Sequence, residues 1–222
     1  MRNSLLLASL LVALFAACSA PAITAPSPTA LLQPSPILAT RSPASATPPS
    51  AVSTQSVQLG QPDCFRALDP TPAMTEGPFY KENSPEKTSL IEPGMTGTRI
   101  ILTGFVLMRD CKSVARAKVD VWQTDDRGEY DNVGYRMRGH VFSDADGRYS
   151  IETLLPGLYP GRTRHIHVKV IAPNLPTLTT QLFIPNEARN QSDSIFDRAL
   201  LVTMQDTPKG KSAMFNFVLA AR

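Results

Sequence analysis

The chain has 222 residues, enough for one domain or two small ones, and its 22 Lys and Arg against 19 Asp and Glu leave a net charge of +3. The basic residues are scattered rather than clustered, which excludes the electrostatic footprint of a nucleic-acid-binding protein.

The N-terminus reads first. Met1–Arg2–Asn3–Ser4 is followed by LLLASLLVALFAA, an apolar run of 13 residues, and then Cys18. A short basic start, an apolar stretch too short to span a bilayer and small residues before a cleavage point describe an export signal. The Ala16–Ala17–Cys18 ending resembles a bacterial lipobox. On that reading residues 1–18 are the signal, Cys18 carries lipid as the mature N-terminus, and the anchor is the protein's only contact with a membrane. Phe15 is unusual three positions before such a cysteine, which leaves a plain signal peptide cut nearby as the alternative. Residues 19–60 are Pro, Ser, Thr and Ala with eight prolines and a single charge at Arg41. Such a segment buries too little apolar surface to offset its ordering entropy, so it is expected to be a disordered or polyproline-like tether. Its coil reach would be about 35–40 Å.

Residues 61–222 are expected to form one domain able to bury about 70% of its unfolded-chain surface. The pattern is β almost throughout. RIILTGFVLM (99–108) alternates and is β-branched, and AKVDVWQ (117–123) sets Val119 and Val121 on one side and Trp122 on the other. GHVFSDADGRYSIETL (139–154) holds two short strands around a turn, RHIHVKVIA (164–172) follows, and LTTQLFI (178–184) and MFNFVLA (214–220) complete the set. One helical turn is expected around Ser192–Leu200. Short, regularly spaced strands argue for an antiparallel β-sandwich. In an exported chain the leftover Cys64 and Cys111 suggest a disulfide joining the start of the domain to the loop at Arg109–Lys112; two buried free thiols are the alternative.

Three elements carry candidate chemistry. Tyr130 stands beyond the turn Asp125–Asp126–Arg127–Gly128–Glu129. Tyr159 sits in the loop Leu155–Pro160, stiffened because Pro160 disfavours helical backbone before it. His165 and His167, six and eight residues after Tyr159, share one face of a strand whose other face carries Ile166, Val168 and Val170. Two imidazoles and two phenols make four possible metal ligands. Phenol titrates near pH ~10, so binding as phenolate calls for a hard, strongly Lewis-acidic ion. Fe(III) suits that better than zinc, whose protein ligands are Cys, His and carboxylates.

VDVWQTDDRGEYDN, SDADGRYSIETLLPGLYPGRTRHIHVKV, LTTQLFI and the stretch TEGPFY at 75–80 together resemble the intradiol ring-cleavage dioxygenases, the catechol- and protocatechuate-cleaving enzymes, and above all their small secreted branch. The likeness spans about Cys64 to the C-terminus. It implies a β-sandwich with one non-haem Fe(III) per chain, held by Tyr130, Tyr159, His165 and His167. Tyr130 matches the tyrosine that stays bound and Tyr159 the one that leaves and takes a proton when substrate binds. Arg162 matches the arginine that stabilises charge on the ring, and Gln181 the glutamine beside it. The implied reaction uses a small catecholic aromatic and O2, and gives a cis,cis-muconate-type diacid containing both oxygen atoms.

The chain departs from the large cytoplasmic enzymes in several places. The Tyr159–His165 segment is shorter, Thr163 and Arg164 replace Pro–Ala, and the helical dimerisation region is missing, so that mode of dimerisation is not assumed. Arg164 either favours a carboxylated ring or is a solvated surface arginine. His140, Tyr135 and Tyr149 read as structural, Tyr80 as a pocket-edge residue and Trp122 as core rather than substrate platform. Two other readings compete. Runs such as DGRYSIETLLPGLY also resemble transthyretin-like and carboxypeptidase-regulatory modules, which bind without catalysis but do not need Arg162, His165, His167 and Gln181 together. A zinc hydrolase on the two histidines leaves both tyrosines unexplained.

Overall fold

The computed structural model describes residues 67–220. The expected signal (1–18) and tether (19–60), with Cys18 and Cys64, lie outside the described residues; Cys111 is disulfide-bonded. The strands, in chain order, are β1 (Arg99–Met108), β2 (Lys118–Trp122), β3 (Arg138–Phe142), β4 (Arg148–Leu154), β5 (His165–Ile171), β6 (Leu178–Phe183), β7 (Thr203–Thr207), β8 (Gly210–Met214) and β9 (Phe217–Leu219). The helical turn expected around Ser192–Leu200 resolves into two 3-10 turns, Ala188–Gln191 and Arg198–Leu200.

The strands form two sheets. One has the order β4-β1-β8-β7 with β9 also on β1, and the other the order β3-β2-β5-β6. The second is antiparallel throughout, as expected. In the first, β8 and β9 run parallel to β1. The chain breaks between Met214 and Phe217, where Asn216 Oδ1 accepts from the N of Phe105 at 3.0 Å and a Cβ on Gly104 would collide with the Phe215 carbonyl. The expected single strand 214–220 is therefore the end of one strand and the whole of another, both laid along the same edge of β1.

Period-two alternation builds the core. Ile100, Leu102, Val119, Val121, Ile151, Ile166, Val168, Val170 and Phe217 are all fully buried between the sheets. Each such side chain contributes about 1.5–3 kcal/mol by leaving water. Tyr149 joins them as expected, its hydroxyl donating to Phe215 O at 2.8 Å.

The outer face of the four-stranded sheet is also covered, and this positions the site. The chain before β1 is laid across it. The N of Met74 donates to Thr179 O at 2.8 Å, Gln181 Nε2 to Thr75 O at 2.9 Å and the N of His140 to Pro85 O at 3.0 Å. Glu76 pairs with Lys169, and Tyr135 donates to Glu82 O at 2.8 Å.

Candidate metal centre

β5 alternates with β2 and β6 in register, so Trp122, His167 and Gln181 form one row across the sheet and His165 stands opposite Phe183. Both imidazoles are buried, at 4% and 3% exposure. Their Nε2 atoms lie 3.2 Å apart. His165 Nδ1 is 2.7 Å from Thr163 O, which can only accept, so that nitrogen carries the proton and Nε2 keeps its lone pair. His167 stacks on Trp122, with centroids 4.9 Å apart and planes at 12°. On its other side lies Gly77 (φ +72°), where a Cβ would come within 3.3 Å of His167 Cε1. Burial is the main force pulling both histidines below their ordinary pKa, His165 to about 4, so both are neutral near pH ~7 and able to donate lone pairs.

Two loops bring the tyrosines. Asp125 Oδ1 accepts from the backbone N of Arg127 and of Glu129, each at 3.0 Å, and so fixes the turn before Tyr130. The loop carrying Tyr159 is fastened to it: the N of Gly157 donates to Asp125 O at 2.7 Å, and Thr124 Oγ1 donates to Gly157 O at 3.1 Å. A Cβ on Gly157 would run into the backbone of Gly128, so glycine permits this approach. After Tyr130, Asp131 accepts from the backbone of Gly134, Arg136 and Val133, and these bonds hold its carboxyl at about 2.

The Tyr130 ring stacks on Phe79 at 4.3 Å and 18°, and its Oη lies 3.3 Å from His165 Nε2. Burial pushes the phenol's pKa up, against the opposing charges of Arg162 and Arg138. Tyr159 is half-buried and stands edge-on to Tyr130 at 5.7 Å and to Phe79 at 5.5 Å. Arg162 Nη2 donates to Gln181 Oε1 at 2.7 Å, the pairing the resemblance implied.

All six matched positions, Tyr130, Tyr159, Arg162, His165, His167 and Gln181, thus gather around the outer face of β5. Two readings are corrected. Trp122 is buried but faces away from the sandwich core, because segment 75–80 covers the sheet face to which strand alternation turns it; its neighbours are His167 and Tyr80. Arg164 is neither a solvated arginine nor a free cation: its Nε lies 3.1 Å from Glu187 Oε1 and its Nη1 donates to Pro156 O. Tyr80, expected at the pocket edge, packs behind Trp122 at 4.8 Å with Lys169 Nζ 3.4 Å from its ring centroid, and its hydroxyl lies 3.4 Å from Asp120 Oδ2. Burial first, then the nearby carboxylates, raises that phenol's pKa to about 12. His140 contacts Ser84 and Phe142.

Sequence reasoning missed three supporting residues. Phe79 lay in plain view inside TEGPFY. Arg138 donates from Nε to Asp131 O at 3.0 Å and from Nη1 to Phe79 O, bracing both sides of Tyr130, and Asp193 holds Arg162 at 2.8 Å. Nothing in the local pattern around Arg138 or Asp193 marks them, since their partners come together only through the fold.

The donor set fits a single transition-metal ion. The two Nε2 atoms, 3.2 Å apart, are close enough for one to hydrogen-bond the other or for a single ion to take up both. Placed about 2.1 Å from a shared ion, as imidazole nitrogens are from zinc, they would subtend about 100°. The Tyr130 phenol, 3.3 Å from His165 Nε2, is a further donor, and its binding as phenolate would call for a hard, strongly Lewis-acidic ion.

Two strand histidines and two loop tyrosines thus gather beside an arginine–glutamine pair on one face of a β-sandwich. The family model described as Dioxygenase matches residues 75–220. The chain belongs to the intradiol ring-cleaving dioxygenase family. Hydroxyquinol 1,2-dioxygenase of Rhodococcus opacus is 32% identical over 171 residues, covering 65% of this chain and 56% of that protein. Catechol 1,2-dioxygenase of Acinetobacter baylyi is 27% identical over 152 residues, covering 55% and 49%. The chain thus spans about half the length of these curated relatives. The dioxygenase domain of a dioxygenase–carbohydrate-binding fusion from the cellulolytic Streptomyces sp. SirexAA-E has a TM-score of 0.67 and 47% identity, covering 69% of this chain and all of that one.

Proposed function

We propose that this chain is an exported non-haem Fe(III) dioxygenase that opens catecholic rings between the two hydroxyl-bearing carbons. The observation that carries the reading is the approach of His165 Nε2 to both His167 Nε2 and Tyr130 Oη, at 3.2 and 3.3 Å, with the Tyr159 ring and Arg162 alongside. Tyr130, Tyr159, His165 and His167 would hold the ion. When bound, the Fe(III) supplies Lewis acidity that draws electron density from a catecholate ring and opens it to O2.

The chain's own groups do the rest. A catechol binding through both oxygens must shed two protons, and Tyr159, the half-buried tyrosine, would take one at its Oη. Arg162, held by Gln181, offers a fixed guanidinium where negative charge grows on the ring; in a pocket closed to water such a charge acts with little screening. Phe79, stacked on Tyr130 and edge-on to Tyr159, walls the tyrosine side against solvent. Both atoms of O2 end in a cis,cis-muconate-type diacid. Catechol and hydroxyquinol, the substrates in the relatives' names, are the first compounds to try.

Export rests on the N-terminal pattern alone: the basic start, the short apolar run and the lipobox-like Cys18 support a lipid anchor ahead of the 19–60 tether. A mature protein lacking lipid mass on Cys18 would refute the anchor. For the enzyme, the test is metal analysis with a visible spectrum before and after catechol under nitrogen, then O2 uptake. One iron per chain, a tyrosinate-to-Fe(III) band that moves to longer wavelength with catechol, and ring-opened product are expected. A protein that stays colourless after reconstitution with iron overturns the proposal.

A further inference from the structure

Arg162 has a second anchor outside the matched set of residues. Its Nε donates to Asp193 Oδ2 at 2.8 Å, beside the Nη2 bond to Gln181. The same Oδ2 accepts from the backbone N of Thr163 at 2.9 Å. Thr163 is fully buried, and its other polar groups are also engaged. Its hydroxyl donates to Asn190 Oδ1 at 2.7 Å, and its carbonyl accepts the Nδ1 proton of His165 at 2.7 Å. Asn190 is in turn tied to the end of β6 through Nδ2 and Ile184 O at 2.9 Å. Asp193 itself is 8% exposed, and its other oxygen accepts from the N of Ile195 at 3.1 Å.

We propose that Asp193 is a positioning residue of this site, which through one carboxylate oxygen aims the Arg162 guanidinium and seats the Thr163 backbone that orients His165. A guanidinium held by a single neutral amide can swing about its long stem; held at two nitrogens, by a carboxylate on Nε and an amide oxygen on Nη2, it keeps one orientation. Its free N–H groups then point where the bonds to Asp193 and Gln181 do not, and the orientation is set before substrate arrives. Thr163 links the two halves of the site, since the carboxylate that fixes Arg162 also fixes the peptide two residues before the metal-facing imidazole. The 3-10 turn at 188–191, apart from any ligand, thereby acquires a role in catalysis. This inference rests on reading Arg162 as the group that meets ring charge.

The test uses the full chain as Asp193→Asn, and as Asp193→Glu, which keeps the carboxylate but lengthens its arm. In iron-loaded protein, Asp193→Asn should lower kcat for catechol about 10- to 100-fold with KM little changed, the pattern of an interaction made chiefly in the transition state. In metal-free, 15N-labelled protein, the Arg162 Nε–H signal, protected from exchange in the wild type, should become exchange-broadened or vanish. Asp193→Glu should recover part of both, and serves alone should the asparagine variant not fold. A purely structural role would instead lower Tm and iron content in step with kcat and leave the Arg162 signal in place. Wild-type kcat in the variants, or a kcat loss with an undisturbed Arg162 signal, overturns the proposal. A wild-type chain that binds no iron would overturn the function proposed above while the Arg162 signal still stood.

Discussion

The two faces of β5 are both buried, yet by different means and to different ends. Ile166, Val168 and Val170 turn inward and are fully covered by the opposite sheet. His165 and His167 turn outward and are covered by a strap of irregular chain, with Gly77 against one imidazole and Trp122 beneath it. The inner face gains from leaving water and asks only for apolar volume. The outer face buries polar groups at a cost, which placed partners offset in part: Thr163 O for His165, Gln181 for Arg162 and Asp193 for Arg162 again, while His167 Nδ1 and Trp122 Nε1 are buried without a hydrogen-bond partner. One strand thus carries stability on one side and chemistry on the other, and substitutions on the two sides should separate those properties.

The sharpest contrast pairs His167→Ala with Ile166→Ala. The histidine change should abolish metal retention and turnover and leave a folded protein, because it removes a ligand and no core volume. The isoleucine change should cost about 2–5 kcal/mol of stability while the folded fraction still binds metal. Chemical denaturation and metal analysis on both variants check this; a His167→Ala protein that keeps its metal would end the assignment of that side chain as a ligand.

How much of this was visible in sequence follows the same division. The inner faces were legible because alternation of β-branched residues is a local signal: β1 was expected at 99–108 and lies at Arg99–Met108. The hairpin of β7 and β8 was not, because TMQDT is largely exposed, GKSAM is mostly half-buried, and neither has an apolar face to alternate. In the site, Tyr130, Tyr159, His165, His167, Arg162 and Gln181 were recognisable as motif positions, and Arg162 does pair with Gln181. Trp122 was misplaced because alternation says which side a residue takes, not whether that side is covered. Arg138, Asp193 and the strap's contacts are long-range hydrogen bonds that no spacing encodes.

Removing one phenol while keeping its ring is the next-largest break. Tyr130→Phe should retain the stack on Phe79 and lose most turnover together with one phenolate-to-metal absorption component. An unchanged visible spectrum at unchanged rate would exclude Tyr130 as a ligand and leave it as wall.

Acid should distinguish the two faces without mutation. In metal-free protein His165 is held neutral by burial, with a folded pKa of about 4 against an ordinary 6.5. Its folded value is depressed, so the unfolded chain takes up the proton first as pH falls. Its contribution is therefore fully present above about pH 6.5 and is lost as pH drops towards 4, for a total of about 3 kcal/mol at 25 °C. His167 is displaced in the same direction and adds to the loss. Urea denaturation of metal-free wild type between pH 7 and 4, beside His165→Ala, would show it; equal slopes for the two proteins would mean His165 is not held neutral by the fold.

The smallest effect expected is also the most informative about the layer beneath the ligands. Trp122 lies 4.9 Å from the His167 ring and 4.8 Å from the Tyr80 ring, so it is an apolar floor for one and a wall for the other. Trp122→Phe keeps an aromatic ring but leaves a gap on one side, which frees His167 to tilt. A tilt of the imidazole should weaken metal retention about 10-fold, the lower end of what supporting residues of metal ligands cost, with Tm nearly unchanged once metal is removed. Chelator competition and thermal melts on wild type and variant separate the possibilities. Equal metal retention with a lowered metal-free Tm would assign Trp122 to stability and place the division between the two faces of β5 one layer closer to the ligands.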